Sequence, residues 1–429
     1  MSKLYEEKVQ LGFSVTYEDD EHKGVVSHKS PLWNEWDGGQ IGGRPSWLNP
    51  KDLPNRFLKC EHCEDPLTFI CQLYAPADEV NEQAFHRSMY IFACSTPSCA
   101  KERTGAVRVL RAQLPQENPF YPQSAGNFET WHKHQSESWD VVLCQVCGQK
   151  GKGKCPIQGV YFCGKQHQIE HKKYVFDKKN KNEKHDFLPS VYAESELVVE
   201  EEPVSGDNLD KEALFADDED DDEDADLEQE DLNKITGAIT SEVSKDQTTI
   251  EFYARTRGLL NVQEQCLRYL RWPTDQSAKD TNMPLWISAG NQPTDIPCCN
   301  YCGAERRFEF QLMPQMIHYL MQDHAKHKAQ ATEDGNTAED QVKEAIAKAT
   351  SIMDQAPPEK VPPAFAEAKE QAVEAMRAKI MREDGDKELN WGVIAVYTCT
   401  ASCGGFQLEE DSELGGYREE FAWKQPSLD

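Results

Sequence analysis

One cysteine frame occurs twice in this 429-residue chain, the copies lying 239 positions apart, and that duplication limits the possible folds more than any other feature. Pro45, Trp47 and Pro54 recur as Pro284, Trp286 and Pro293, and Cys60 and Cys63 recur as Cys299 and Cys302. Phe69 and Gln72-Leu73 return as Phe308 and Gln311-Leu312 without slippage. Each copy then reaches an apolar stretch that ends in a second cysteine pair, YIFACSTPSC in the first and IAVYTCTASC in the second. A duplicated proximal pair with a duplicated distal pair points to a pseudo-symmetric, metal-held binding protein before it points to an enzyme.

The compartment decides how cysteines are read. No apolar run is long enough to span a bilayer, which needs about 18 residues or more. The first residues, MSKLYEEKVQ, are charged and lack the apolar stretch of a signal peptide. A cytoplasmic protein is expected, with nuclear shuttling left open. Thiols stay reduced there, and the fifteen cysteines are an odd number, so close pairs read as metal ligands rather than disulfides. Zn²⁺ takes four soft or borderline ligands in a tetrahedron. The first copy supplies Cys60, Cys63, Cys94 and Cys99; the second supplies Cys299, Cys302, Cys399 and Cys403. Four protein ligands leave no open position for water or substrate, so these zincs are expected to be structural. Cys71, Cys266 and Cys298 lack partners at suitable spacing and read as small buried apolar groups.

Between the copies lies CQVCGQKGKGKCPIQGVYFCGKQHQIEHKK, within a module at 141–187. Cys144, Cys147, Cys163 and His167 make one complete three-cysteine, one-histidine site. The arrangement resembles a MYND zinc finger, which interleaves eight ligands around two zincs. Here the partner expected shortly after Cys155 is absent, and so is the cysteine expected after His171. The second site is either lost or completed by a distant group such as His185. One zinc is expected in this module and about three in the chain.

The rest of the chain reads as an α+β protein. Residues 1–140 form a first zinc-bound, β-rich lobe, with strands in LTFICQLYA and at Tyr90 to Ala93. Residues 193–245 form an acidic linker whose centre, ADDEDDDEDADLEQED, has no apolar face and is expected to be disordered. The second lobe, 248–429, opens with helix-like structure over 248–272. In FEFQL, Phe308, Phe310 and Leu312 alternate with Glu309 and Gln311, the period of a half-buried strand. The distal pair of this copy is delayed by an insertion at about 323–388, rich in Ala, Glu, Lys and Gln, which reads as mobile helical segments. His318, His324 and His327 near its start read as an exposed helix rather than a metal site.

A formal charge of −29 opposes a phosphate-binding surface, because nucleic-acid affinity rests on Lys and Arg. Nucleic acid is therefore not expected as a direct ligand, and the lysines at 150–154 and 172–184 read as a solvated face. Such acidity suits a basic partner, such as a histone or a free ribosomal protein, and equally suits simple solubility. No glycine-rich loop follows a strand and no nucleophile–base constellation is found, so no catalysis is expected.

The motifs taken in order resemble one family. They are WDGGQIGGRPSWL, the Cys60 frame, the MYND-like finger, the acidic linker, CLRYLRW, PLWISAG, CGAERRFEFQLMPQMIHYL, NWGVIAVYTCTASC and YREEFAWKQ. Together they resemble the programmed cell death protein 2 family, which includes the fungal small-subunit rRNA accumulation protein four. The resemblance spans most of the chain except the linker and the insertion. It implies a dedicated chaperone that captures one basic ribosomal protein of the small subunit, the universal S-five (eukaryotic S-two) type, as a nascent chain; a monomer is expected. The implied outcome is small-subunit biogenesis and rRNA maturation. The alternative is an adaptor that uses its MYND-like finger to bind proline-containing peptides of transcriptional regulators.

Overall fold

The computed structural model describes residues 8–15, 38–54, 58–121, 142–155, 159–176, 190–202, 246–257, 264–275, 278–279, 283–322, 389–405 and 416–428. The acidic run at 216–231, the insertion at 323–388, His185, His324 and His327 lie outside these residues. The chain divides into two units, Met1–Leu320 with Leu389–Asp429, and Met321–Glu388; only the first is described below. No helix among the described residues is long and apolar enough to cross a membrane.

Aromatic and β-branched residues make up most of TFICQLY and VIAVYTC and favour extended backbone. The strands are β1 (Gln10–Val15), β2 (Gln40–Ile41), β3 (Thr68–Tyr74), β4 (His86–Ala93) and β5 (Val107–Leu114) in the first part of the chain. Two short strands follow, β6 (Gly153–Lys154) and β7 (Tyr161–Phe162), then β8 (Ser195–Glu201) and β9 (Leu267–Tyr269). The last three are β10 (Arg306–Leu312), β11 (Val393–Cys399) and β12 (Tyr417–Gln425). Ten of them close into one barrel in the order β1-β8-β2-β3-β4-β5-β12-β11-β10-β9, while β6 and β7 pair apart from it. The described helices include α1 (Lys165–Phe176) and α2 (Gln247–Arg257), and a further helix starts at 315. The architecture is mostly β.

Alternation along each strand sorts side chains to two faces. Tyr90 and Phe92 of β4 and Leu110 and Ala112 of β5 pack outward against Trp47, which lies 4.9 Å from the Tyr90 ring and 5.2 Å from the Tyr417 ring. A second outer cluster gathers Phe308, Ala395 and Tyr397 beneath Leu285 and Trp286. The segments 38–54 and 283–297 thus cover the barrel as lids of apolar residues. Each is pinned by a buried glutamine: Ser46 N–H donates to Gln72 Oε1 at 2.8 Å, and Leu285 N–H donates to Gln311 Oε1 at 2.7 Å.

A β-bulge interrupts β3 between Phe69 and Cys71, and another interrupts β10 between Phe308 and Phe310. The extra residue in β10 is Glu309, and bulges re-aim side chains. Its carboxylate receives Arg87 Nη1 at 2.6 Å and Nη2 at 2.8 Å, Tyr269 OH at 3.0 Å, and the Thr398 hydroxyl. Because β4 and β10 are not neighbours in either direction around the barrel, this fork crosses the interior. Burial pushes the Glu309 carboxyl up, but the Arg87 guanidinium outweighs it and holds the group at about 2.

Several expectations change here. The two repeats do not form separate lobes: β5 pairs with β12, and β1 joins β8 to β9, so strands of both halves share one barrel. Closure removes the raw edges that two open sheets would expose. The linker expected from 193 begins instead with a barrel strand, since Ser195–Glu201 includes a residue paired to every residue of β1. Its glutamates merge with the acidic run in sequence, which hides it. The helix expected over 248–272 ends at Arg257, and Leu267–Tyr269 is a strand. FEFQL is buried on both faces, with Glu309 and Gln311 satisfied by Arg87 and by the covering backbone rather than by water.

Truncating Glu309 to Ala strands a buried guanidinium and should cost about 3–5 kcal/mol in urea unfolding. Replacing the pair together, Glu309→Leu with Arg87→Met, should recover most of that loss. The folded Glu309 holds its proton less tightly than the unfolded chain does, because its value of about 2 lies below the ordinary 4.5. Its contribution is therefore complete above about pH 5 and is lost as pH falls through about 4 to 2. An acid titration of Glu309→Gln should lack that component of the wild-type decline.

Candidate metal centres

The three proximal cysteine pairs sit on the same backbone device. In each, the first cysteine N–H donates five residues ahead: Cys60 to Asp65 O at 2.9 Å, Cys144 to Gln149 O at 2.7 Å, and Cys299 to Ala304 O at 2.8 Å. The carbonyl of that cysteine receives the N–H four residues on, from Glu64 at 3.1 Å, Gly148 at 3.0 Å and Gly303 at 2.9 Å. Those receiving turns need a left-handed residue, and φ is +60° at Glu64, +68° at Gly148 and +76° at Gly303. The turn aims both sulfurs to one side, as a metal knuckle requires.

Distal ligands arrive on strand ends. Cys94 follows β4 and Cys99 closes a 3-10 turn, Pro97–Cys99. Cys399 ends β11, and Ser402, at φ +40°, folds Cys403 back through Ser402 N–H to Cys399 O at 2.9 Å. Cys163 follows β7, and His167 lies in the first turn of α1. The ligand atoms of each group of four lie within 4.8 Å of one another. Sulfurs approach to 3.8 Å (Cys60–Cys99), 3.6 Å (Cys63–Cys94), 3.6 Å (Cys299–Cys403), 3.5 Å (Cys302–Cys399) and 3.7 Å (Cys147–Cys163). A tetrahedron with bonds of about 2.3 Å has edges of about 3.8 Å, close to these separations and far from a disulfide length of about 2.0 Å. None of the fifteen cysteines is in a disulfide.

Three clusters could therefore hold zinc ions. Burial pushes the thiols of Cys94 and Cys147 up, and it raises Cys99 to about 11. Thiols so crowded cannot all ionise alone, whereas a bound dication draws their protons off. The donor set is soft sulfur with one imidazole, which suits zinc.

Every ligand expected from the sequence falls in one of the three clusters. Cys155 and His171 are buried near the middle one without joining it, and the His171 ring packs 5.2 Å from that of Phe162. Cys71 and Cys266 are buried as small groups, but Cys298 is exposed, pointing away from its inward neighbour Cys299. His318 is exposed on the helix that starts at 315. The middle module does not stand apart. Arg44 Nε donates to Val146 O at 2.8 Å and Trp47 Nε1 to Gly148 O at 2.7 Å, so the covering segment of the barrel grips its knuckle.

Sequence reasoning missed Arg44, Arg111 and Lys424, buried cations that approach the three clusters. The available signal was a charge inside an otherwise apolar strand, as in VRVLRAQL and EFAWKQ, which open water does not explain.

The left-handed turn positions give a direct test. Gly148→Ala should destabilise the protein by about 1–2 kcal/mol, since its Cβ would also meet Arg44 Cβ at 3.0 Å. Glu64→Gly should be neutral or slightly stabilising at the equivalent turn. Paired denaturation curves that reversed this order would contradict the shared knuckle geometry.

Comparison with known proteins agrees with the motifs. Residues 8–128 match the family model "Programmed cell death protein 2, N-terminal domain", and residues 246–340 match "Programmed cell death protein 2, C-terminal putative domain". Programmed cell death protein 2 of Bos taurus is 29% identical over 93% of this chain and 95% of its own length. Programmed cell death protein 2-like of Mus musculus is 25% identical over 66% of this chain and 80% of its own. A shorter match, 29% identical over 75 residues and 18% of each chain, is to a Schizosaccharomyces pombe protein named probable 20S rRNA accumulation protein 4. No solved structure matches significantly. With both of the family's domains matched in order and a relative aligned over 93% of the chain, the chain belongs to the programmed cell death protein 2 family.

Proposed function

We propose that this protein is a zinc-held chaperone for one basic ribosomal protein of the small subunit, of the universal S-five (eukaryotic S-two) type, acting in ribosome biogenesis. The observation that carries this reading is family membership, which includes a distant relative named for 20S rRNA accumulation. A charge of −29 supports it, because an acidic protein screens a basic client and speeds its capture. The three clusters hold Zn²⁺ as closed structural sites with no place for substrate, and the protein acts by binding rather than by catalysis. It works as a cytoplasmic monomer on the nascent chain.

The barrel order supports the pseudo-repeat, since reading outward from the β5–β12 junction gives β5-β4-β3-β2 on one side and β12-β11-β10-β9 on the other. Bulges at Ile70 and Glu309, and glutamine pins at Gln72 and Gln311, fall at matching positions in the two halves. The adaptor reading would place function in a MYND-like finger at 141–187. That finger shares hydrogen bonds with the barrel cover, so point substitutions on its surface separate the two ideas better than a deletion would.

Purification of the tagged protein from cytosol, with identification of bound proteins and messages, should enrich one small-subunit ribosomal protein and its message. A spread of transcription factors instead would sink the chaperone reading. The complex should weaken markedly between low salt and about 300 mM salt, as screened charge attraction requires. Zinc analysis of the same sample should give three ions per chain, and chelation should unfold the domain.

A further inference from the structure

Each four-cysteine cluster meets a buried cation that comes from the other half of the chain. Beside Cys60, Cys63, Cys94 and Cys99 lies Lys424 of β12, whose ammonium donates to Cys99 O at 2.8 Å and is 4% exposed. Beside Cys299, Cys302, Cys399 and Cys403 lies Arg111 of β5, whose Nη2 points at Cys403 Sγ from 3.9 Å and which is 1% exposed. The exchange is reciprocal because β5 and β12 pair, with Arg111 opposite Arg418 and Val109 opposite Glu420.

Charge accounting gives this geometry a purpose. Four thiolates around one Zn²⁺ carry a formal charge of about −2, which is costly to bury without a counter-charge. Around the first cluster, Glu102 adds negative charge and Lys424 is the buried cation. Around the second, Arg111 and Arg306 share Glu420, at 2.6 Å and 3.1 Å, which leaves one surplus positive charge. Glu420 also accepts from Cys399 N–H at 3.1 Å. Residues of the first half further clamp the second distal turn. Gln113 Nε2 donates to Ser402 O and Gly404 O, both at 2.8 Å, and Asn81 Nδ2 donates to Ser402 O at 2.9 Å.

We propose that Lys424 and Arg111 are charge-compensating, positioning residues of the two four-cysteine metal centres, each supplied across the β5–β12 seam by the half that does not provide the cysteines. Neither centre is complete within its own repeat. Formation of the seam therefore precedes tight metal retention at both centres.

The inference rests on the zinc reading above, and one sample distinguishes their failures. Elemental analysis of the wild-type full chain tests for zinc, and a metal-free protein would overturn both. Given zinc, K424M, K424R, R111M and R111K are challenged with a chelator, and each cysteine is followed by alkylation and mass spectrometry. K424M should release one zinc about tenfold faster or more, with Cys60, Cys63, Cys94 and Cys99 labelled first. R111M should do the same to Cys299, Cys302, Cys399 and Cys403. K424R and R111K, which keep the charge, should restore much of the protection. Protection equal to wild type in K424M and R111M would overturn the proposal. So would labelling that rises uniformly across all three clusters, or charge-keeping variants no better than the methionines.

Discussion

One buried charge pair ties together two strands that are not neighbours in the barrel. Arg87 and Glu309 meet across the interior with side chains fully buried, and each stands on a strand that does not touch the other's. A buried pair is a poor source of stability compared with apolar packing, because desolvation offsets most of the attraction. Its value lies in geometry. A guanidinium fork accepts a carboxylate in one orientation, so β4 and β10 are held at one separation and register. The bulge that frees Glu309 to face inward also sets Phe308 outward under Trp286, so the interior ion pair and the apolar cover are fixed by the same irregularity.

From that arrangement the metal centres follow. Strands β4 and β11 deliver Cys94 and Cys399 at their ends, while the left-handed turns at Glu64 and Gly303 present the proximal sulfurs. The middle cluster reaches the barrel through Arg44 and Trp47, which bind its knuckle carbonyls. Packing, hydrogen bonding and ligand placement therefore form one connected network in the described residues.

Local chemistry was legible in the sequence, and long-range closure was not. Cysteine spacing pointed to all twelve residues of the three clusters that could hold a metal, because a knuckle is a short-range device written in a few residues. The strands of β3, β4, β10 and β11 announced themselves through aromatic and β-branched content. Strand β8 stayed hidden, since SELVVEE borders an acidic run and only its pairing with β1 gives its few apolar residues a place to go. Glu309 read as a solvent-facing residue because alternation assumes no bulge, and a single inserted residue inverts the faces. Cations such as Arg111 and Lys424 carry no local mark of what they approach, as their partners lie about 300 positions away.

The pairing of β5 with β12 also governs how the protein is made. Arg108 and Glu419 form their fork over a separation of 311 residues, and β1 waits for β8 and β9. Contacts this distant in sequence make folding slow and leave strand edges open meanwhile. A chain leaving the ribosome displays β5 paired with β4 on one side only, until β12 has emerged about 300 residues later. Until then the barrel is an unclosed sheet, exposed to the same aggregation hazard as any other incomplete β-protein.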